Sequence, residues 1–281
     1  MKLIECPRDA MQGIHEFIPT ETKVKYLNQL LKVGFDTIDF GSFVSPKAIP
    51  QMKDTAEVLG KLDLSTSSSK LLAIIANVRG ANDASKFEEI DYLGFPFSIS
   101  ETFQQRNTNK SIDQALQELQ EIQTICLANS KELVAYISMG FGNPYGDLYN
   151  EEIVAEYAEK LVGYGINIIS LADTIGVSNR ENIDSLFTYL INKYPVVEFG
   201  AHLHSNPATA LEKIKAAYGA GCRRFDGAIM GYGGCPMAKD DLVGNMATEA
   251  IVSYLKDNGA DFKLNMEEFN KSIAQAALVF P

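Results

Sequence analysis

The chain of 281 residues carries 25 lysines and arginines against 36 aspartates and glutamates, which gives a formal net charge of −11. Nucleic acids and anionic membrane surfaces repel a protein this acidic, so we expect neither as a partner. Hydrophobic residues make up 46% of the chain, yet no apolar run approaches the roughly 20 residues that span a bilayer. The first residues, MKLIECPRDA, carry no export signal, and we therefore predict a cytoplasmic protein.

Short apolar segments alternate along the chain with longer segments of helical periodicity. The predicted strands are 2–6, 37–42, 71–77, 92–99, 133–139, 168–173, 197–204 and 224–230. Between them, apolar residues recur at i, i+3, i+4 and i+7, as in amphipathic helices, and Thr20 and Asn150 are the predicted N-caps of two of these helices. Eight such repeats in a chain near the usual length of about 250 residues predict a TIM (β/α)8 barrel. No GxGxxG motif follows the first strand, which argues against a Rossmann sheet.

The segment after the eighth repeat predicts additional helices. The sequences DLVGNMATEAIVSYLKDNG and NMEEFNKSIAQAALVF have helical periodicity, and no linker rich in proline, serine or glycine precedes them. We therefore predict a single barrel domain over residues 1–281, with C-terminal helices from near residue 240 packed on the barrel.

Polar side chains collect where the predicted strands end, which is the face of a TIM barrel that carries the active site. They are Arg8, Asp9 and Gln12 after the first strand, Asp39 in the second, Glu101 and Arg106 after the fourth, Ser138 in the fifth, Asp173 in the sixth, His202 and His204 in the seventh, and Cys235 and Asn245 after the eighth. We expect the reacting groups to come from this set.

His202 and His204 are two of only three histidines in the chain. Alternate residues of a strand point to the same face, so both imidazoles point into the barrel mouth if Leu203 points out. Their Cα atoms would then be about 6.5 Å apart, which allows both rings to reach one ion. An H-x-H pair alone fits two hydrogen-bonded strand histidines equally well.

The neighbouring strands favour a metal site. Strands seven, eight and one are adjacent in a closed barrel, which brings the two histidines close to Asp9 and to the loop of Asn245. Imidazole, carboxylate and amide ligands without thiolate suit Mg²⁺ or Mn²⁺. A zinc site of His202, His204 and Cys235 is the chemical alternative.

The remaining strand-end residues leave more than one interpretation open. Asp39 and Asp173 are equally compatible with helix N-caps and with carboxylates that hold metal-bound waters and substrate hydroxyls. Arg8 beside Asp9 is compatible with a surface ion pair, but beside a metal it would stabilise a developing enolate.

Five segments of the chain together resemble the hydroxymethylglutaryl-CoA lyase family of metal-dependent barrel enzymes. They are CPRDAMQ, IDFGSFVSPKAIPQM, SLADTIGV, AHLH and GGCPMAKDDLVGNMATE, and they span positions 6–249 in the family's order. The resemblance implies a divalent-metal-dependent retro-Claisen cleavage of 3-hydroxy-3-methylglutaryl-CoA to acetyl-CoA and acetoacetate. It also implies an acyl-CoA substrate and a homodimer.

The matching positions imply a set of site residues. The metal ligands would be Asp9, His202, His204 and Asn245, with Mg²⁺ or Mn²⁺ as the metal. The catalytic residues would be Arg8 facing the thioester carbonyl and Cys235 as the loop cysteine, and we add Asp39 and Asp173 from their strand ends. The alternatives are a related barrel aldolase or acyl-CoA condensing enzyme, acting on another 3-hydroxyacyl-CoA or a 2-oxo acid, and a barrel without catalytic activity that serves as a binding partner.

The chain departs from the family pattern at several positions. The family usually has RDGLQNE, often followed by a lysine, where this chain has RDAMQGIHEF. It commonly has Glu in place of Asp39, Asp in place of Ser205, and small residues in place of Lys239, Asp240 and Asp241. Because the metal set and the cysteine are intact, these departures concern the choice of acyl-CoA. The cations that we expect near a bound CoA are Lys47, Arg79, Arg106 and Lys239.

Overall fold

The computed structural model describes residues 1–234 and 243–280. Within them, eight parallel strands follow one another in chain order and close into a barrel, because β1 pairs with both β2 and β8. The strands are β1 (Lys2–Glu5), β2 (Thr37–Ser42), β3 (Lys70–Ile74), β4 (Tyr92–Ser98), β5 (Glu132–Ser138), β6 (Ile168–Asp173), β7 (Glu198–Leu203) and β8 (Arg224–Gly227). Each one overlaps a strand predicted from the sequence, so the predicted TIM barrel is confirmed.

Helices surround the strands and separate them along the chain. They are α1 (Pro7–Gln12), α2 (Thr20–Leu30), α3 (Thr55–Leu59), α4 (Val78–Ala84), α5 (Glu101–Thr108), α6 (Ile112–Ala128), α7 (Glu151–Gly163), α8 (Arg180–Lys193), α9 (Pro207–Gly219), α10 (Thr248–Asp257) and α11 (Met266–Val279). Among these described residues, no helix is both long and apolar enough to span a bilayer.

The sequence explains these elements locally. Every residue of β2 and β6 is buried, as expected for parallel strands that are covered on both faces. Asn150 caps α7, since its side chain accepts a 2.8 Å hydrogen bond from the Ile153 backbone N–H. The N-cap prediction for Thr20 was wrong by one position, because Pro19 precedes the helix there and Thr20 instead donates to Asp54.

The two C-terminal helices lie on the barrel, α10 against α9 and α11 beside the first repeat. The ring of Phe269 in α11 lies 6.1 Å from that of Phe35, just before β2. Phe280, directly after α11, contacts Tyr26 of α2 edge-on at 5.8 Å and stacks on Tyr232 at 4.6 Å. The end of the described chain therefore packs against both its first repeat and the segment that follows β8.

Strand register determines which side chains meet at the barrel mouth. Gly227, the last residue of β8, lies opposite Glu5, the last residue of β1. On the other side of β8, Gly200 of β7 lies opposite Arg224. The segments that leave β1, β7 and β8 therefore emerge side by side.

Candidate active site

The two strand histidines and Asp9 form one group at the mouth of the barrel. One ligand atom from each of Asp9, His202 and His204 lies within 4.8 Å of the others. The two imidazole ring centroids are 5.3 Å apart, and Leu203 between them is buried in the hydrophobic core. The prediction that both histidines point into the mouth is confirmed.

His204 has the properties of a metal ligand. Its ring is buried, and within the described residues neither ring nitrogen has a hydrogen-bond partner. Burial, together with the neighbouring His202, lowers the pKa of His204 to about 4. At neutral pH this imidazole is uncharged, and a buried nitrogen lone pair without a partner is unusual unless an ion uses it. The residues present therefore fit a divalent metal.

Asp9 is held ionised by three donors. It accepts hydrogen bonds from Arg8 Nη1 at 2.9 Å, from Gln12 Nε2 at 2.7 Å and from Asn245 Nδ2 at 2.6 Å. Burial alone would raise the pKa of Asp9, but the charge of Arg8 and the two histidines lower it to about 2. A fixed carboxylate beside two imidazoles is the donor set of a hard divalent cation.

Asn245 lies in the same group although it comes 236 positions after Asp9. Its amide nitrogen donates to Asp9 and, at 2.9 Å, to the carbonyl of Tyr232. An isolated antiparallel bridge joins Asn245 to His204. Because the amide nitrogen is used by these two acceptors, the side-chain oxygen is the atom that Asn245 can offer to an ion.

Arg8 is a buried cation between two carboxylates, not a surface ion pair. Its Nη2 lies 2.5 Å and its Nε 3.0 Å from Asp39 Oδ2, while its Nη1 lies 2.9 Å from Asp9. Burial raises the pKa of Asp39 to about 6 even though Arg8 lowers it. Asp39 therefore orients Arg8, whose side chain lines the mouth cavity.

Asp173 is close to the mouth but faces away from it. Its neighbours in sequence, Ala172 and Thr174, line the cavity, whereas the Asp173 carboxylate accepts from the backbone of Val177 at 2.8 Å and from the hydroxyl of Ser178 at 2.5 Å. It also pairs with Lys213 at 2.6 Å. These contacts make Asp173 a positioning residue of the loop after β6, and its catalytic role stays a prediction. Cys235, the other predicted catalytic residue, lies outside the described residues.

The cavity above this group has a volume of about 270 Å³. Arg8, Asp9, His202 and His204 lie in its wall. The rest of the wall is mainly apolar, with polar atoms from a few positions. Its residues are Val44, Ala48, Ile49, Ile74, Ala76, Pro96, Phe103, Tyr136 and Ala172, together with Gln12, Asn107, Thr108, Ser138 and Thr174. A mainly apolar wall with a few convergent polar groups is typical of a small-molecule site.

Sequence reasoning missed two residues of the cavity wall, and several predicted residues lie outside that wall. Asn107 and Thr108 of α5 line the cavity, but their segment shows no motif. Glu101 accepts from the backbone of Ile112 at 3.0 Å at the start of α6, and Arg106 lies 4.9 Å from the Tyr145 ring. Two further cations expected near CoA, Lys47 and Arg79, are exposed and do not line this cavity. Lys239, together with Asp240 and Asp241, is not among the described residues.

Sequence reasoning also missed Asp226. Its Oδ2 lies 3.2 Å from Nδ1 of His202. Burial alone would lower the pKa of His202, but the hydrogen bond and charge of Asp226 raise it above its ordinary value. The strand alternation that placed Arg224 and Asp226 on one face of β8 was the only signal for this contact.

A family model described as HMGL-like matches residues 3–275. The chain is 34% identical to hydroxymethylglutaryl-CoA lyase YngG of Bacillus subtilis, over 93% of this chain and 86% of that protein. It is 31% identical to the mitochondrial hydroxymethylglutaryl-CoA lyase of Mus musculus, over 95% and 82%.

Solved structures of hydroxymethylglutaryl-CoA lyases are also similar to this chain. An HMG-CoA lyase from Acinetobacter baumannii in complex with coenzyme A and 3-methylmalate superposes with a TM-score of 0.91 at 28% identity, covering 100% of this chain and 91% of that one. The Bacillus subtilis HMG-CoA lyase superposes with a TM-score of 0.90 at 32% identity, covering 97% and 91%. With the family match across most of its length, the chain belongs to the HMGL-like family.

Proposed function

We propose that this chain is a hydroxymethylglutaryl-CoA lyase, a carbon–carbon lyase that cleaves 3-hydroxy-3-methylglutaryl-CoA to acetyl-CoA and acetoacetate. One observation carries the proposal: Asp9, His202, His204 and Asn245 converge beside Arg8 at the mouth of the barrel. Lyases of this name resemble the chain over nearly its full length, and one of them binds coenzyme A.

The cleavage breaks one carbon–carbon bond and transfers one proton from oxygen to carbon. The substrate's tertiary hydroxyl loses its proton and becomes the ketone of acetoacetate, while the neighbouring carbon–carbon bond breaks and its electron pair forms the enolate of acetyl-CoA. A proton then adds to the enolate carbon. A divalent metal held by Asp9, His202, His204 and Asn245, which we propose to be Mg²⁺ or Mn²⁺, would supply Lewis acidity that lowers the pKa of that hydroxyl.

The chain's own residues account for the remaining requirements. Arg8 is fixed by Asp39 and Asp9, so its positive charge is already in place where the thioester oxygen becomes negative. Apolar cavity walls from Ile74, Pro96 and Phe103 exclude water from the enolate. We assign the proton transfers to the thiol of Cys235, which belongs to the GGCP motif.

The direct test is the release of acetoacetate from 3-hydroxy-3-methylglutaryl-CoA in the presence of Mg²⁺ or Mn²⁺. We expect release by the native chain, loss of it in Arg8→Gln and Cys235→Ser, and retention in Cys126→Ala, whose thiol is buried in α6. Metal binding without release would refute this substrate.

A panel of other substrates distinguishes the related activities. The departures at residues 10–16, Asp39 and Ser205 favour, as the second candidate, cleavage of a different 3-hydroxyacyl-CoA by the same chemistry. Release from that thioester alone would support it, whereas activity only on a 2-oxo acid would indicate an aldolase. The homodimer and the cytoplasmic location stay predictions, and the zinc alternative is tested by metal content.

A further inference from the structure

We propose that Asp226 is a positioning residue that fixes the orientation and tautomer of His202, so that only Nε2 of this ring is presented to the metal. The proposal rests on the proposed function in one respect, the assignment of His202 as a ligand. It assigns to a residue of the barrel interior a role in orienting one of the proposed metal ligands.

The first support is the contact itself. Oδ2 of Asp226 lies 3.2 Å from Nδ1 of His202, and the Asp226 side chain has no exposed surface. A carboxylate can only accept at this distance, so the proton of a neutral His202 is placed on Nδ1. Nε2 then keeps its lone pair, and it is the nitrogen free to join Asp9 and His204.

The second support is the restriction of the imidazole ring. The ring of Tyr136 contacts that of His202 edge-on, with centroids 5.4 Å apart and an interplanar angle of 76°. On another side, the His204 ring lies 5.3 Å away. With Asp226 bonded to Nδ1, these neighbours leave the ring little freedom to turn over and exchange its two nitrogens.

The third support is a cation beneath Asp226. Arg224 lies two residues earlier on the same face of β8 and is completely buried. Burial would lower the pKa of Arg224, but the nearby charge of Asp226 raises it. Arg224 also donates from Nη1 to Glu198 at 2.9 Å. Strand alternation thus places a buried guanidinium on the same face of β8 as the carboxylate that contacts His202.

A glycine in β7, Gly200, leaves space for the Arg224 side chain. A Cβ added at Gly200 would lie 2.9 Å from Cδ of Arg224 and 2.5 Å from Oγ of Ser170, so a larger residue there would collide with the arginine. The register that places Gly200 opposite Arg224 also brings His202 beside Asp226, two residues further along both strands.

The chain's small number of histidines makes the proposal directly testable. It contains three, so the ring nitrogens can be assigned by ¹⁵N–¹H correlation spectra of the full, metal-free protein at alkaline pH, where neutral imidazoles are observed. We expect His202 to carry its proton on Nδ1 in the native chain and to shift toward the Nε2-protonated form in Asp226→Ala. Asp226→Asn keeps an acceptor oxygen and is expected to give an intermediate result.

Metal affinity provides the second readout. In titration calorimetry with Mn²⁺ alone, Asp226→Ala is expected to lose about 10–100-fold in affinity, and Asp226→Asn less. Glu198→Gln is the matched control, because it removes another partner of Arg224 without touching His202; its tautomer and affinity should be native. Asp226→Asn keeps the test possible if Asp226→Ala does not fold.

Three results would overturn the proposal. One is a native His202 protonated on Nε2, and another is an unchanged tautomer in both Asp226 variants. The third is a sulfur–metal absorption band on adding Cd²⁺ that persists in Cys235→Ser and is lost in Cys6→Ala, because Cys6 also lies within 4.8 Å of His202 and Asp226 and these three would then form a soft-metal site. If the native chain carries the His202 proton on Nδ1 and binds Mn²⁺ but releases no acetoacetate, the proposed activity is refuted and this inference stands.

Discussion

Lys213 Nζ lies 2.6 Å from Asp173 Oδ2, and the two side chains are 3% and 1% exposed. The same ammonium donates to the carbonyl of His204 at 2.8 Å and to that of Gly176 at 3.0 Å. One lysine of α9 therefore joins the end of β6, the loop after it and the end of β7. Lys213 therefore holds the backbone of His204 in position, although Lys213 itself does not line the cavity.

Asp173→Asn tests whether Asp173 supports the loop or takes part in the reaction. Removing one partner of a buried ion pair leaves the other charge uncompensated, so we expect a loss of about 3–5 kcal/mol in the free energy of unfolding, measured in urea. Lys160→Ala, which breaks the exposed pair with Glu156, should change stability little. Native stability with a large fall in kcat would instead establish Asp173 as catalytic.

His204→Ala tests the metal assignment. Both ring nitrogens lack partners in the described part of the chain, so the substitution removes no internal hydrogen bond from the fold. We expect Mn²⁺ binding to be lost in titration calorimetry while the circular dichroism spectrum stays native. His15→Ala, which changes the one histidine outside this group, is the control. Native affinity in His204→Ala would contradict the ligand assignment.

Gly233→Ala tests the close approach of the segment after β8 to the site. Gly233 has φ of +100°, and a Cβ there would lie 2.6 Å from Nδ2 of Asn245 and 2.9 Å from the carbonyl of Asp9. We expect about 1–2 kcal/mol of backbone strain, a further cost of about 1–3 kcal/mol from crowding, and weaker metal binding.

Gly146→Ala separates the two contributions. Gly146 has a similar positive φ of +79° but no atom within 4 Å of the added Cβ, so its alanine variant should lose only the strain energy and keep native metal affinity. Equal effects of the two substitutions on metal affinity would show that Gly233 does not shape the site.

Glu5→Gln tests a buried carboxyl between β1 and α10. Burial raises the pKa of Glu5 from 4.5 to about 8, although it accepts from Thr248 at 2.6 Å and from the backbone of Ile229 at 2.8 Å. The folded state therefore binds this proton more tightly than the unfolded chain, and stability falls as pH rises from about 4.5 to about 8.

Urea unfolding at several pH values within that window measures the effect. Gln cannot ionise and can still accept from Ile229, so the Glu5→Gln variant should lose much of the decline with pH. Glu121→Gln, at an exposed position of α6, should follow the native profile. A decline in Glu5→Gln as steep as that of the native chain would rule out Glu5 as its source.

The sequence predicted most of the fold because parallel barrel strands are continuous apolar runs with helical segments between them. It also predicted the group of Asp9, His202 and His204, since strand alternation and barrel closure are enough to bring these residues together. Asp173 shows the limit of counting strand ends: it ends β6 as predicted, but the pleat turns Ala172 and Thr174 to the cavity instead.

Contacts between elements were harder to anticipate. Asp226 reaches His202 only because of the register between β7 and β8, and one sequence does not contain that register. Lys213 lies in an ordinary amphipathic helix, where a lysine is usually exposed; its burial follows from the position of α9 over the end of β6.

Barrel closure also fixes when the metal group can form during synthesis. β1 pairs with β2 and β8, so one edge of the first strand has no partner until residues 224–227 have left the ribosome. The hydrogen bond between Asp9 and Asn245 forms later still, because Asn245 comes 236 positions after Asp9. A nascent chain thus exposes an open strand edge for most of its translation, and any premature stop before Asn245 yields a fragment that lacks one of the proposed metal ligands.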